Sequence, residues 1–309
     1  MNARVSEIIN EIKKVIHGKD EVVGMMLKGL LAGGHILLED IPGVGKTTLA
    51  LAISRAMSLS YGRVQFTPDV LPSDILGFNM YDKSSGEFRF VEGAVYTNLF
   101  LADELNRTSP KTQSALLEVM EEGRATVEGI TRRMPAPFFV IATENPYGSS
   151  GTQRLPESQL DRFMICLTMG YPDRNSAIEI LKGNSKTDIE EVKAVIDGEG
   201  IMAMQHEAEM VHVDETLYDY AVRLCEQTRD GRFFELGLSP RGNIALIRMA
   251  KANAFAEGRD YVIPEDIHAV FAPVCVHRLH LNPAARASHS DVTGALRTIL
   301  EEVYIPKIN

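Results

Sequence analysis

The sequence predicts an α/β fold: a five-stranded parallel sheet flanked by helices, followed by an all-helical second domain. Three observations predict it. Short apolar runs alternate with helical patterns over the first half of the chain. The first of these runs leads into a glycine-rich turn that opens a helix. Beyond Pro172 only helical periodicity remains.

Each element follows from local signals. Met1 to Ile16 mixes charges with apolar residues, so it reads as an amphipathic helix and not a signal peptide. Met25 to Leu38 is the longest near-apolar stretch. It holds Lys28, His35 and three glycines and is too short and too broken to cross a membrane. His35–Leu38, Val64–Phe66, Leu99–Ala102, Phe138–Ala142 and Met164–Thr168 are the candidate strands. Parallel sheets bind ligands beyond the carboxyl ends of their strands, and there stand Asp103, Glu104, Glu144 and Asn145. Ser109 can cap a helix that starts at Pro110, turns Leu116, Val119 and Met120 inward, and closes at Gly123. On its far side Glu118, Glu121 and Glu122 read as a solvated face. Asn175–Lys182, Asp214–Asp230, Pro240–Glu257 and Pro264–Arg278 read as helices. The stretch 183–210 is periodic only in patches, and no element is assigned to it.

Composition narrows the class. The chain has 309 residues, 45% of them hydrophobic and 24% charged, enough for a full core and a second domain. A net charge of −10 argues against broad nucleic-acid binding. Cys166, Cys225 and Cys275 are odd in number and widely spaced, which suggests a reduced compartment without a disulfide framework; a cytoplasmic location is the expectation. Cys275, His277 and His280 do not match a closed zinc spacing and sit in a helical run, so packing explains them better than metal binding.

The chemistry begins at Glu39-Asp40-Ile41-Pro42-Gly43-Val44-Gly45-Lys46-Thr47. Glycines let backbone N–H groups converge on an anion, and a helix N-terminus adds partial positive charge. Lys46 would reach the β- and γ-phosphates of a nucleoside triphosphate, and the Thr47 hydroxyl would sit on Mg²⁺. Asp40 stands where the pattern expects its first glycine. In Leu99 to Glu104 a strand delivers two adjacent carboxylates. Asp103 fits a Mg²⁺-associated role and Glu104 the group that orients or deprotonates water. Alone, Asp-Glu after an apolar run marks a strand leaving the core; after the Lys46 loop it points to hydrolysis. Phe139 to Pro146 ends a buried strand in Asn145, which could hold the nucleophilic water or touch the γ-phosphate, although Asn-Pro is also a common strand-to-turn boundary. Leu155–Phe163 and Leu238–Asn243 each present an arginine, Arg162 and Arg241, at a helix end. Arginine suits phosphate because it stays charged and donates in a planar fork; a surface ion pair is the plainer reading of each.

These five elements in this order resemble an AAA+ ATPase, specifically of the MoxR family. Gln65 to Ile75, Leu101 to Arg107, Pro110 to Gln113, Ala142 to Pro146 and Leu155 to Phe163 carry the likeness, which is dense from about Ile16 to Phe163 and resumes at Ser239–Arg241. The resemblance implies a P-loop core over residues 1–172, with pore-facing insertions near 75–91 and 123–136, and a helical lid over 173–309. It implies ATP and Mg²⁺ as ligands. Pro42, Gly43, Val44, Gly45, Lys46, Thr47 and Thr48 would form the phosphate loop, with Thr47 and Asp103 at the metal. Glu104 would be the catalytic base and Asn145 the first sensor. Arg241 would be the second sensor, contacting the γ-phosphate in cis. Arg162 would be an arginine finger serving the neighbouring subunit. Ile16 to Gly18 would lie against adenine.

The resemblance further implies a homo-oligomeric ring, a hexamer, that remodels or matures a partner complex carrying a von Willebrand factor A domain, without nucleic acid and without membrane insertion. Two alternatives stay open. One is the ATPase subunit of a metal chelatase. The other is a passive nucleotide-binding assembly module, against which the intact Asp103-Glu104 pair argues.

Overall fold

The apolar runs assemble as a parallel sheet of order β2-β5-β8-β1-β9. The structure is a computed structural model that describes residues 1–41, 43–145, 155–181, 189–288 and 291–307. The sheet strands are β1 (Ile36–Glu39), β2 (Tyr61–Gln65), β5 (Leu99–Asp103), β8 (Phe139–Glu144) and β9 (Ile165–Leu167). Every residue of β5 and β8 is buried, as expected for inner strands of a parallel sheet covered on both faces. Two antiparallel hairpins stand outside it: β3 (Phe78–Asp82) with β4 (Glu87–Val91), and β6 (Arg124–Val127) with β7 (Ile130–Arg133). Both fall within the stretches read as insertions.

The helices are α1 (Ala3–Lys13), α2 (Asp20–Leu31), α3 (Lys46–Ala56), α4 (Pro72–Leu76), α5 (Pro110–Glu122), α6 (Glu157–Leu160), α7 (Arg174–Leu181), α8 (Gly198–Glu209), α9 (Glu215–Gln227), α10 (Pro240–Ala256), α11 (Pro264–Cys275), α12 (Pro283–Ser288) and α13 (Val292–Glu302). α1 buries Val5, Ile8, Ile9 and Ile12, a one-faced stripe. α5 keeps the expected ends: Ser109 Oγ accepts from the Thr112 N–H, and Gly123 closes the helix at φ 61°.

α8 and α13 are helices the periodicity did not assign. α8 opens with Gly198 and Gly200, poor helix formers, so local propensity conceals it. Its Asp197 cap and the burial of Ile201, Met204 and Ala208 hold it in place. The preceding segment runs back over the sheet's helices, where the Val195 N–H donates to the Ala56 carbonyl and Arg55 Nη1 to the Ile189 carbonyl. Among the described residues, no helix is long and apolar enough to cross a membrane.

Candidate active site

The glycine-rich turn follows β1 and starts α3. Gly43 and Gly45 hold φ of 85° and 93°, which side-chain-bearing residues rarely adopt. A Cβ at either would meet nothing within 4 Å, so the backbone conformation and not crowding demands glycine. α3 has eleven residues, and its N-terminus therefore presents free N–H groups at this turn. Lys46 is buried and donates from Nζ to the Asp40 carbonyl at 2.9 Å. Burial pulls its pKa down, while Asp40, Asp103 and Glu104 push it back up. Those carboxylates therefore share one electrostatic site with Lys46. Thr47 and Thr48 follow in the first turn of α3, and Val44 lies half-buried between the glycines. Pro42 lies outside the described residues.

Asp40 is more than a tolerated departure from glycine. It is buried, and its carboxylate accepts from the Ile41 N–H at 2.8 Å and the Gly170 N–H at 2.7 Å. Lys19 Nζ reinforces the same loop by donating to the carbonyls of Met169, Gly170 and Tyr171 at 2.5, 3.2 and 2.7 Å. The α1–α2 turn, with buried Ile16 and Gly18 at φ 68°, is thus tied through the 169–171 loop to the base of the glycine-rich turn.

One hydroxyl organises the two carboxylates. Thr143, fully buried on β8, donates from Oγ1 to Asp103 Oδ1 at 2.7 Å and accepts from the Glu104 N–H at 2.8 Å. Glu104 itself sits in the left-handed region at φ 56°, which turns its side chain out of the β5 line. Asp103 Oδ2 receives Arg63 Nη2 at 2.7 Å, and Glu104 Oε2 receives Arg107 Nη1 at 2.6 Å. Strand order places β8 between β5 and β1, so Asn145 at its end stands between the carboxylates and the turn. The Asn145 carbonyl accepts from Asn106 Nδ2 at 3.4 Å. Hard oxygen donors, Thr47 Oγ1 and the Asp103 carboxylate, suit Mg²⁺. The open, N–H-rich turn beside a buried lysine suits a triphosphate.

Comparison with known proteins supplies the family. The model of the ATPase family associated with various cellular activities matches residues 35–165, and that of the AAA lid domain matches 226–299. The chain is 38% identical to chaperone MoxR1 of Mycobacterium tuberculosis, over 97% of this chain and 82% of that one. The chain belongs to the MoxR family of AAA+ ATPases. The MoxR-family chain is also 43% identical to protein YeaC of Bacillus subtilis, over 98% and 95% of the two chains. A solved structure from Cytophaga hutchinsonii superposes with a TM-score of 0.91 at 38% identity, covering 98% and 95%. Likeness to the magnesium-chelatase subunit ChlI of Chlamydomonas reinhardtii is more distant: 30% identity over 67% of this chain and 49% of that one.

The two arginines of this MoxR-family chain stand together. Arg162 lies just before β9, at the amino end of the sheet. Arg241, expected at its own chain's γ-phosphate, lies beside it. Both pair with Glu121, Arg162 Nη2 at 3.3 Å and Arg241 Nη2 at 2.5 Å. With His35, which precedes β1, they line a common cavity of about 290 Å³. The glycine-rich turn is at the opposite end of β1, beyond four residues or roughly 13 Å of strand. The reason is the seat of α10: its cap, Ser239, donates from Oγ to Asp161 Oδ2 at 2.8 Å, which fixes the start of α10 against the entry to β9.

Thr143, Arg63, Arg107, Lys19, Glu121 and Asp161 were not legible as site residues. Thr143, Arg107 and Asp161 lie inside motifs that sequence reading singles out, Lys19 directly follows Gly18, and Glu121 was read only as part of a solvated face. The Cys275–His280 cluster is taken up by packing and pairing. Cys275 and His277 are buried, His277 Nε2 lies 3.2 Å from the Phe163 carbonyl, and His280 pairs with Glu157 at 3.5 Å.

Proposed function

We propose that this chain hydrolyses ATP with Mg²⁺ in a homo-oligomeric ring, a hexamer, and uses that turnover to remodel or mature a partner complex carrying a von Willebrand factor A domain. The observation that carries the reading is the Asp103–Thr143–Glu104 bridge beside buried Lys46 at the carboxyl end of the sheet. Residues 1–172 act as the ATPase core and 173–309 as the lid.

The roles follow from placement. Backbone N–H groups of Gly43 to Thr48 and the Lys46 ammonium cradle the β- and γ-phosphates. Thr47 and Asp103 would hold Mg²⁺, which would supply positive charge to offset that of the phosphates. Glu104 takes the proton of the attacking water, and Asn145 orients that water against the γ-phosphate. Release of Glu104 from Arg107 frees its carboxylate for this task. Ile16 and Gly18 border the adenine. Arg162 and Arg241 stand too far along the sheet to serve their own chain's nucleotide, so both act on that of a neighbour. The β3–β4 and β6–β7 hairpins face the pore, where Met80, Tyr81 and Phe88 expose apolar surface to a client.

Affinity capture on a Glu104→Gln trap tests the partner. A consistent partner with a von Willebrand factor A domain is expected. A large tetrapyrrole-binding subunit would instead make the chain a chelatase motor, and no nucleotide-dependent partner at all would contradict remodelling.

A further inference from the structure

Glu121 lies on the last turn of α5, on the face the sequence assigns to solvent. Its carboxylate is divided between two arginines that are distant in the chain: Oε1 takes Arg241 and Oε2 takes Arg162. Two guanidiniums repel one another, and a shared carboxylate offsets that repulsion at close range. Below them, Asp161 makes a second link. Its Oδ1 accepts from Arg278 Nε at 2.8 Å, and its Oδ2 accepts from Ser239, the cap of the helix that carries Arg241. Arg278 is buried and also donates to the carbonyls of Phe163 and Met164. The backbone on either side of Arg162 is therefore anchored to the lid.

The guanidinium heads are held differently. Among the described residues, Arg162 Nε is buried without a hydrogen-bond partner, so Glu121 orients the Arg162 head through Nη2. The pairs to Glu121 are partly exposed, with side-chain exposure of 29% for Arg162, 48% for Arg241 and 39% for Glu121. Exposed ion pairs are weak and exchangeable. A phosphate group offers the planar guanidinium fork the same bidentate pair of acceptor oxygens, with more charge. Glu121 can thus hold both forks in place and still yield them.

We propose that Glu121 is a positioning residue that holds Arg162 and Arg241 side by side as one two-arginine receptor for the triphosphate bound to a neighbouring copy of this chain. This rests on the reading of Arg162 as acting in trans. It gives the lid a direct part in the neighbour's hydrolysis, because the Arg241 half of the receptor belongs to α10.

Mixing experiments on the full chain test it, with Mg²⁺-ATP turnover as the readout. Glu121→Ala alone should lower kcat by roughly 10- to 100-fold, the scale of a small misplacement of catalytic groups, with ATP affinity and melting temperature unchanged. Glu121→Gln, which keeps one acceptor oxygen, should fall between. Glu121→Ala mixed with Glu104→Gln should regain turnover above the sum of the two, since an intact Glu104 site then meets an intact receptor. Glu121→Ala mixed with Arg162→Ala should regain none, since both lesions lie in the donating partner. The reverse pattern would place Glu121 at its own chain's nucleotide and overturn the proposal, as would wild-type kcat in Glu121→Ala. Arg162→Ala mixed with Glu104→Gln separates the two ideas. Recovery there with none for Glu121→Ala and Glu104→Gln overturns only the role of Glu121; failure of recovery in both overturns the trans reading and the receptor with it.

Discussion

Thr143→Val isolates the hydroxyl that joins the two carboxylates. Valine matches threonine in shape but offers neither donor nor acceptor. The substitution strips Asp103 Oδ1 of a 2.7 Å donor and leaves the Glu104 N–H without its 2.8 Å acceptor in a fully buried place. A hydrogen bond to a charged group contributes about 1.5–3 kcal/mol and a neutral one about 0.5–1.5, so the expected loss is about 2–4 kcal/mol. It should appear as a lower urea midpoint for the unfolding transition of the sheet domain. Function should suffer separately. Glu104 occupies a left-handed backbone conformation at φ 56°, which persists only where its surroundings enforce it. Without the Thr143 acceptor the carboxylate drifts, and kcat should drop by at least about tenfold. ATP affinity should hold, because the glycine-rich turn and Lys46 are untouched. Thr143→Ser keeps the hydroxyl and should stay close to wild type on every measure. A valine variant with the wild-type midpoint and the wild-type kcat would refute the bridge as the organiser of the site.

Three further outcomes follow from the same geometry. Asp40→Gly restores the usual glycine of the motif, yet it should destabilise the chain by about 1.5–3 kcal/mol in denaturant titration, because two backbone N–H groups lose a charged acceptor. Lys46→Ala should abolish tight ATP binding by calorimetry, because the cradle loses its buried lysine cation. His35, with a pKa pushed down to about 4 by burial, should make stability fall as pH drops: the unfolded chain takes up a proton near pH 6.5 and the folded chain only near 4. Its contribution is fully present above pH 6.5 and is lost on the way to pH 4. The full shift corresponds to about 3 kcal/mol, an upper bound because the residue is partly exposed. Equal pH profiles for wild type and His35→Gln would contradict it.

The sheet and the glycine-rich turn were legible because their determinants are local. Inner parallel strands are continuous apolar runs, and the turn's glycines, lysine and threonine are neighbours in sequence. Asp103 and Glu104 were legible for the same reason. What escaped was non-local. Asp40 reads only as a missing glycine until its carboxylate is seen on the N–H of Gly170, 130 residues away. Glu121 reads as one member of a solvated acidic face until two arginines from other elements meet it. The lid's seat, set by Ser239 and Arg278 on Asp161, brings Arg241 beside Arg162 on Glu121, and no spacing in the sequence encodes that. α8 escaped because its glycine-bearing first turn is held by tertiary packing.

The central claim is that this site hydrolyses ATP with Glu104 as base, and nucleotide affinity measured beside single-turnover hydrolysis for Glu104→Gln tests it most directly. The geometry predicts ATP binding at wild-type affinity with hydrolysis nearly abolished, since the substitution removes only the proton acceptor and keeps the turn, Lys46 and Asp103. Turnover at the wild-type rate would contradict it.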